Sequence, residues 1–183
     1  MLKSSLTSIL FLSVVLSPFQ VRAQSPGDYL KAASCPVTGA FALHIHGGVT
    51  YRDRPERQAR RKKFISGLLE ESKVALEQGV SSLDVISFAL TSMENSGIFN
   101  AGSGSIPNQA GYREMDASIM TGHDRDAGAV ASVQQLKNPI LAARYVMEET
   151  KNVFFVGNSA DDFLSGKLTK ADPGDGARSP YPQ

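Results

Sequence analysis

Apolar residues change their spacing several times along this chain, and each change predicts an element. Residues 41–45, Phe41, Ala42, Leu43, His44 and Ile45, form a short apolar run closed by Gly47 and Gly48. Such a run predicts a strand covered on both faces, followed by a bend that allows close backbone approach. From about residue 56 to 78 the period becomes helical: Phe64, Leu68 and Ala75 share one stripe, Ile65, Leu69 and Leu76 lie beside it, and Gly79 supplies a stop. A second helix follows, capped by Ser81 or Ser82. Asp84 suits its positive end, and Leu83, Ile86, Leu90 and Met93 form its apolar face as far as Gly97.

Residues 114–120 and 127–133 read as two strands joined by the turn-rich segment 121–125, a hairpin whose small residues imply close stacking. Asn138 and Pro139 offer a cap and a first-turn proline for a helix to about residue 150. Residues 153–156 predict a further buried strand, and 159–164 a short helix. Beyond Lys170 the Pro- and Gly-rich sequence sustains no regular element and reads as a linker or a processed end over 170–183. Strand, two helices, hairpin, helix and strand together predict a mixed α/β layered domain, because consecutive β segments break a regular βαβ alternation. Open sheet edges in such a domain favour pairing with another chain.

At 183 residues, 42% hydrophobic and 20% charged, the chain is long enough for one globular core and is not compositionally disordered. A formal net charge of +1 supplies no global field toward nucleic acid or an anionic membrane. Lys3, the apolar run at 9–16 and the small residues of Val21, Arg22 and Ala23 match a secretory signal peptide over 1–23, cleaved after Ala23. The run is far shorter than the roughly 20 residues needed to span a bilayer. The predicted location is therefore secreted or periplasmic. Cys35, the single cysteine, falls in a flexible lead-in over 24–40 and is a free or an intermolecular thiol.

The most informative strings carry no obvious packing role. Phe-Asn-Ala-Gly-Ser-Gly occupies 99–104 and Met-Asp-Ala-Ser-Ile-Met-Thr-Gly occupies 115–122. Upstream lies Leu-His-Ile-His-Gly-Gly at 43–48; downstream lie Ala-Gly-Ala-Val at 127–130 and Lys-Asn-Pro-Ile-Leu-Ala-Ala-Arg at 137–144. Each has a plainer explanation. Asn100, Ala101 and Gly102 fit a helix exit in which Asn and Gly take positive φ. Asp116 fits a buried structural carboxylate bonded to backbone amides. His44 and His46 would share one face of a strand and, with His123, offer nitrogens to zinc, yet no further site of suitable spacing completes a ligand set. His46, Gly47 and Gly48 are not followed by a G-x-S-x-G elbow, and Gly102, Ser103 and Gly104 lack a following Gly-Lys-Ser/Thr, which argues against a serine esterase and a phosphate loop. Arg52, Arg54, Arg57, Arg60, Arg61, Lys62 and Lys63 fit either a solvated helix face or a salt-sensitive polyanion-binding module over 52–63.

Taken in order, these strings resemble the N-terminal, or α, portion of the threonine-type isoaspartyl peptidase and asparaginase family, from about residue 41 to 163. The resemblance implies an αββα four-layer sandwich of the N-terminal-nucleophile hydrolase type, incomplete without a β subunit, with the hydrolase domain at 41–169. It implies hydrolysis of isoaspartyl dipeptides or asparagine by a threonine that heads the β portion after self-cleavage; no Thr-Val-Gly-Ala-like string occurs in these 183 residues. The implied partner is that β subunit, in an (αβ)2 assembly that is inactive without it, with neither nucleic acid nor membrane as a partner.

Within this chain the resemblance assigns Asn100 a supporting catalytic role and makes His46, Gly47 and Gly48 a mobile loop beside the nucleophile. It implies no cofactor for the chemistry, but a structural sodium held by the backbone carbonyls of Met93, Glu94, Ser96, Phe99, Ala101 and Ser103. Hard cations favour oxygen ligands, so carbonyls serve whatever the side chains are. Val49 and Thr50 stand where the family usually carries Ala-Gly, which stiffens the loop, and Ser103 stands at an often apolar position. The competing expectation is a truncated, catalytically inactive family member.

Overall fold

The computed structural model describes residues 41–48 and 54–171. The segments expected to be a signal peptide and a lead-in with Cys35, together with Val49, Thr50, Arg52 and the chain from 172 onward, lie outside the described residues. Helix α1 runs Pro55–Glu77, with proline in its first turn where the missing N–H costs nothing. It stops at Gly79, whose φ of 85° admits the reversal that returns the Val80 N–H to the Ala75 carbonyl. Helix α2, Ser82–Asn95, starts on a side-chain cap: Ser81 Oγ accepts the Asp84 N–H and donates to the Asp84 carboxylate. The two helices pack through Leu68, Phe88, Ala89 and Met93.

A hairpin follows, β1 (Met115–Met120) and β2 (Ala127–Val133), and both strands pair in antiparallel register from Ala117 opposite Val130 to Met120 opposite Ala127. Helix α3, Pro139–Glu149, crosses back over the hairpin, and β3, Phe154–Val156, pairs parallel to β2 before α4, Gly157–Ser165. The result is an α/β domain with a three-stranded sheet in the order β1-β2-β3. Its core lies between the sheet and α3 and α4, where Val133, Leu136, Ala142, Val146 and Leu164 are fully buried. Asp161 is buried with them, its two carboxylate oxygens accepting the Gln134 and Gln135 N–H groups at 2.8 and 3.0 Å. That contact closes the end of β2 without an orphan amide.

Three expectations are corrected. Residues 41–48 form no strand: the segment is extended but unpaired, Leu43 and Ile45 turn toward the helices, and Phe41, His44 and His46 face solvent. No second strand lies beside it among the described residues, so an apolar run alone did not suffice. β3 is not buried: Phe154 and Val156 are 55% and 52% exposed, because among the described residues helices cover one face of the sheet. Only Phe155, on the alternate face, reaches α4, stacking on Phe163 at 5.3 Å. Order also continues past residue 169, since Leu136 and Lys170 form a bridge and the Ala171 N–H donates to the Gln135 carbonyl.

The sheet face left bare carries Ser118, Ala129 and Phe154 in one register row, Met120 beside Ala127, and Val156 beside Ala131. On the covered face α3 lies directly on the β2 backbone. A Cβ at Gly128 would fall inside contact distance of the Ala143 carbonyl and 2.5 Å from the Met147 N. Both are helix backbone and cannot step aside. Gly128→Ala is expected to cost about 3 kcal/mol in a denaturant melt, whereas Gly122→Ala, with nothing within 4 Å of its Cβ, is expected to be near neutral.

Candidate active site

The segment after α2 is shaped by close backbone contact. Ser96 Oγ donates to the Met93 carbonyl at 2.7 Å and accepts the Ile98 N–H at 3.2 Å, turning the chain away from the helix axis. Ser103 Oγ then returns to the Glu94 carbonyl at 2.8 Å, across a short 3-10 turn, Gly102–Gly104. Gly102, at φ 53°, lies against that same residue: a Cβ there would stand 2.6 Å from the Glu94 carbonyl oxygen. Gly104 is equally confined, by the carbonyls of Phe99 and Gly97. Glycine is thus required at both positions for steric reasons.

Asn100 sits on the outside of this curl. It does not take positive φ; among the described residues other than glycine only Arg125 and Ser132 do, so the helix-exit explanation fails for Asn100 and holds for Gly97 and Gly102. Its Oδ1 accepts the Ile106 N–H at 2.9 Å, which fixes the amide plane. No described residue accepts from its Nδ2, which leaves an oriented donor on an exposed side chain.

The upstream segment 46–48 is brought to the same place. A Cβ on Gly47 would stand 2.9 Å from Cδ1 of Ile65 and 3.0 Å from the Phe99 ring, so the Gly47 backbone lies on α1 and on the residue preceding Asn100. Gly48, at φ 83°, donates its N–H to His46 Nδ1 at 3.3 Å. Phe99 is buried and meets Phe64 edge to face at 5.6 Å. Two strings far apart in sequence therefore meet across one aromatic ring.

The six carbonyls assigned to a sodium all lie on the last turn of α2 and this curl. Those of Glu94 and Ala101 each already accept one hydrogen bond, from Ser103 Oγ and the Gly104 N–H, and that of Met93 accepts both the N–H and the Oγ of Ser96. The singly bonded carbonyls keep a second lone pair. An all-oxygen backbone cradle with no room for side chains at Gly102 and Gly104 has the donor chemistry of a hard-cation site. Among the described residues no group of three His, Cys, Asp or Glu side chains is placed to hold a metal, so His44, His46 and His123 assemble no zinc site there.

The side chain that sequence reasoning missed is Glu94. It is 6% exposed, and burial raises its pKa to about 7 against the pull of two hydrogen bonds. Oε1 accepts the Ile140 N–H and Oε2 accepts from Asn138 Nδ2, both at 2.9 Å, at the start of α3. Asn138 was expected to cap α3; its own side chain makes no cap bond, donating instead to Glu94 and Asn95. An acidic residue on the apolar side of a helix, beside Met93, was the available signal. Asp116 was expected to be buried and is exposed, at a register irregularity in β1; as expected it bonds a backbone amide, its Oδ1 accepting the N–H of Ser132, which stands at φ 55°.

The basic run divides. Arg54, Arg60, Lys62 and Lys63 face solvent on α1, while Arg61 turns inward: its Nε donates to the Ile98 carbonyl at 3.0 Å and its guanidinium lies 5.9 Å from the Phe99 ring centre. None of the helices among the described residues is long and apolar enough to cross a membrane.

With this geometry in hand, comparison with known proteins is direct. Residues 39–174 match the model of a family described as asparaginase. The isoaspartyl peptidase of Escherichia coli K12 is 37% identical over 129 residues, covering 68% of this chain and 40% of that protein. The isoaspartyl peptidase/L-asparaginase of Rattus norvegicus is 41% identical over 126 residues, covering 69% and 38%, and that of Homo sapiens 37% identical over 134 residues, covering 72% and 42%. The chain belongs to this asparaginase family of hydrolases. It spans about two fifths of the length of the curated relatives it matches.

Glu94→Ala is expected to strand the buried Ile140 N–H and the Asn138 amide and to lower stability by about 2–3 kcal/mol. Glu94→Gln, which keeps one acceptor, is expected to lose less. Urea melts of the two variants beside the parent protein measure both.

Proposed function

We propose that this chain is the α portion of a threonine-type hydrolase acting on β-aspartyl amides, with asparagine and isoaspartyl dipeptides as substrates. The observation that carries the proposal is the meeting of Gly47 and Phe99, which sets the His46, Gly47 and Gly48 segment against the residue that precedes the oriented Asn100 amide. Two further features support it: the apolar sheet face left uncovered, and the share of each relative that the chain spans. In this proposal a β portion headed by threonine adds the second sheet of a four-layer sandwich onto the face carrying Met120, Phe154 and Val156. The assembly is (αβ)2.

The chemistry follows from the groups. The threonine hydroxyl attacks the side-chain carbonyl of the β-aspartyl amide, and its own α-amino group, with an ordinary pKa of about 7.7–8.0, takes the proton. The proton passes to the amide nitrogen as the C–N bond breaks, releasing ammonia or an amino acid and leaving an ester on threonine. Water then hydrolyses that ester. Asn100 Nδ2 supplies a fixed hydrogen-bond donor to the threonine environment or its water, a role in which preorganised amides act most strongly. The carbonyls of Met93, Glu94, Ser96, Phe99, Ala101 and Ser103 hold a sodium that stiffens the loop bearing Asn100. The signal peptide exports the protein to a secreted or periplasmic location.

Intact-mass analysis and N-terminal sequencing of the native protein test the proposal, combined with product assays on asparagine and isoaspartyl dipeptides. A companion chain beginning with threonine, and hydrolysis of either substrate, is the expected result. A native protein without such a threonine overturns the proposal in favour of an inactive family member. In the active assembly Asn100→Ala is expected to lower kcat about 100-fold with the fold intact. Exchange of sodium for tetramethylammonium, too large for a carbonyl cradle, is expected to lower Tm, as loss of any ligand selective for the folded state does.

A further inference from the structure

The basic run on α1 is not accounted for by solvation alone, because one of its members points the other way. Arg61 is half-buried among exposed neighbours, and its contacts are specific. Nε donates to the Ile98 carbonyl at 3.0 Å, two residues before Asn100, and the guanidinium lies over the Phe99 ring. One turn further along the same helix, Phe64 meets the edge of that ring and Ile65 meets Gly47. Three positions on two successive turns of α1 therefore touch both strings of the candidate site.

The hydrogen bond to Ile98 matters because of what the segment lacks. Ile98 leaves α2 through Gly97 at φ 64°, so no helix continues to hold its carbonyl. Phe99 is locked by burial, but a ring packed in an apolar pocket is free to rotate about its own axis and fixes the backbone less sharply than a directed bond. Arg61 supplies that direction. Its planar donor keeps the peptide after Ile98 at one orientation, and with it the path of the chain into Asn100.

We propose that Arg61 is a positioning residue for the candidate active site, tying the Asn100 loop and the Gly47 segment to α1 through the Ile98 carbonyl and the Phe99 ring. It acts through Asn100 and does not touch substrate. The proposal rests on the hydrolase function above for its kinetic consequence only; the geometric consequence stands apart from it. A displacement near 1 Å at a reacting group costs up to about 100-fold in rate, and loosening this tie falls in that range.

Three variants isolate the bond. Arg61→Met keeps the length of the stem and removes every donor. Arg61→Gln places an amide nitrogen at the same bond position as Nε and so retains the donor to Ile98. Arg60→Met changes an exposed neighbour as a control. Each is prepared in the full protein together with its threonine-bearing portion and examined by steady-state kinetics on an isoaspartyl dipeptide and by hydrogen–deuterium exchange. Arg61→Met is expected to lower kcat about 10- to 100-fold with KM held within about threefold. It is also expected to raise exchange in peptides covering 43–48 and 97–106 while α2, β1 and β2 stay protected. Arg61→Gln is expected to restore most of both, and Arg60→Met to match the parent protein.

Parental kinetics and exchange in Arg61→Met, or an Arg61→Gln variant as impaired as Arg61→Met, overturns the proposal. So does exchange that rises throughout the domain, which marks a general stabilising role. A parent protein without hydrolytic activity refutes the hydrolase function and leaves the exchange comparison to decide the positioning role. If Arg61→Met does not fold, Arg61→Lys replaces it, with charge kept over the ring and the donor moved one bond outward.

Discussion

Glu94 is held at both ends, and the arrangement of the candidate site depends on it. Its main-chain carbonyl receives Ser103 and presses against Gly102, which closes the curl that presents Asn100. Its carboxylate receives the first amide of α3 and the side chain of Asn138, which fixes where that helix begins over the hairpin. A single residue thus links the loop of the candidate site to the layer of helix on sheet. Burial of a carboxylate is costly, and its raised pKa records that cost. The two directed donors and the positive end of α3 offset part of it.

Close backbone approach recurs as the second constraint. Gly102 and Gly104 fold the loop onto α2, Gly47 lies on Phe99, and Gly128 lets α3 rest on β2. At each of these places a methyl group would occupy space already filled by main chain or by an aromatic ring. The small residues of the hairpin are thus a requirement of layer spacing. The electrostatic ties are fewer: Arg144 joins α3 to α2 through Asp84 at 2.7 Å and Ser87 at 3.1 Å, largely shielded from solvent, and so keeps the two helices in register.

Among the described residues the sheet is covered on one side. Its inner face packs against α3 and α4, and its outer face exposes Met120, Phe154 and Val156 around a floor of alanines. Large apolar side chains on a flat alanine floor suit a second sheet better than water.

Much of the local structure was legible in the sequence. The stop at Gly79, the cap at Ser81, the hairpin strands and the proline start of α3 all fall where spacing and short-range backbone chemistry put them. The family was legible as well, because several strings in fixed order are far more specific than any one. Burial was not. Residues 153–156 are apolar in the same way whether a layer covers them or not, and residues 41–45 have the composition of a strand but no described neighbour to pair with. The inward turn of Arg61 and the double role of Glu94 were hidden for the same reason. Periodicity and capping act within a turn or two of chain and are written into the sequence. Which carbonyl an arginine meets, and which helix a glutamate caps, depends on elements dozens of residues away, and only their packing decides it.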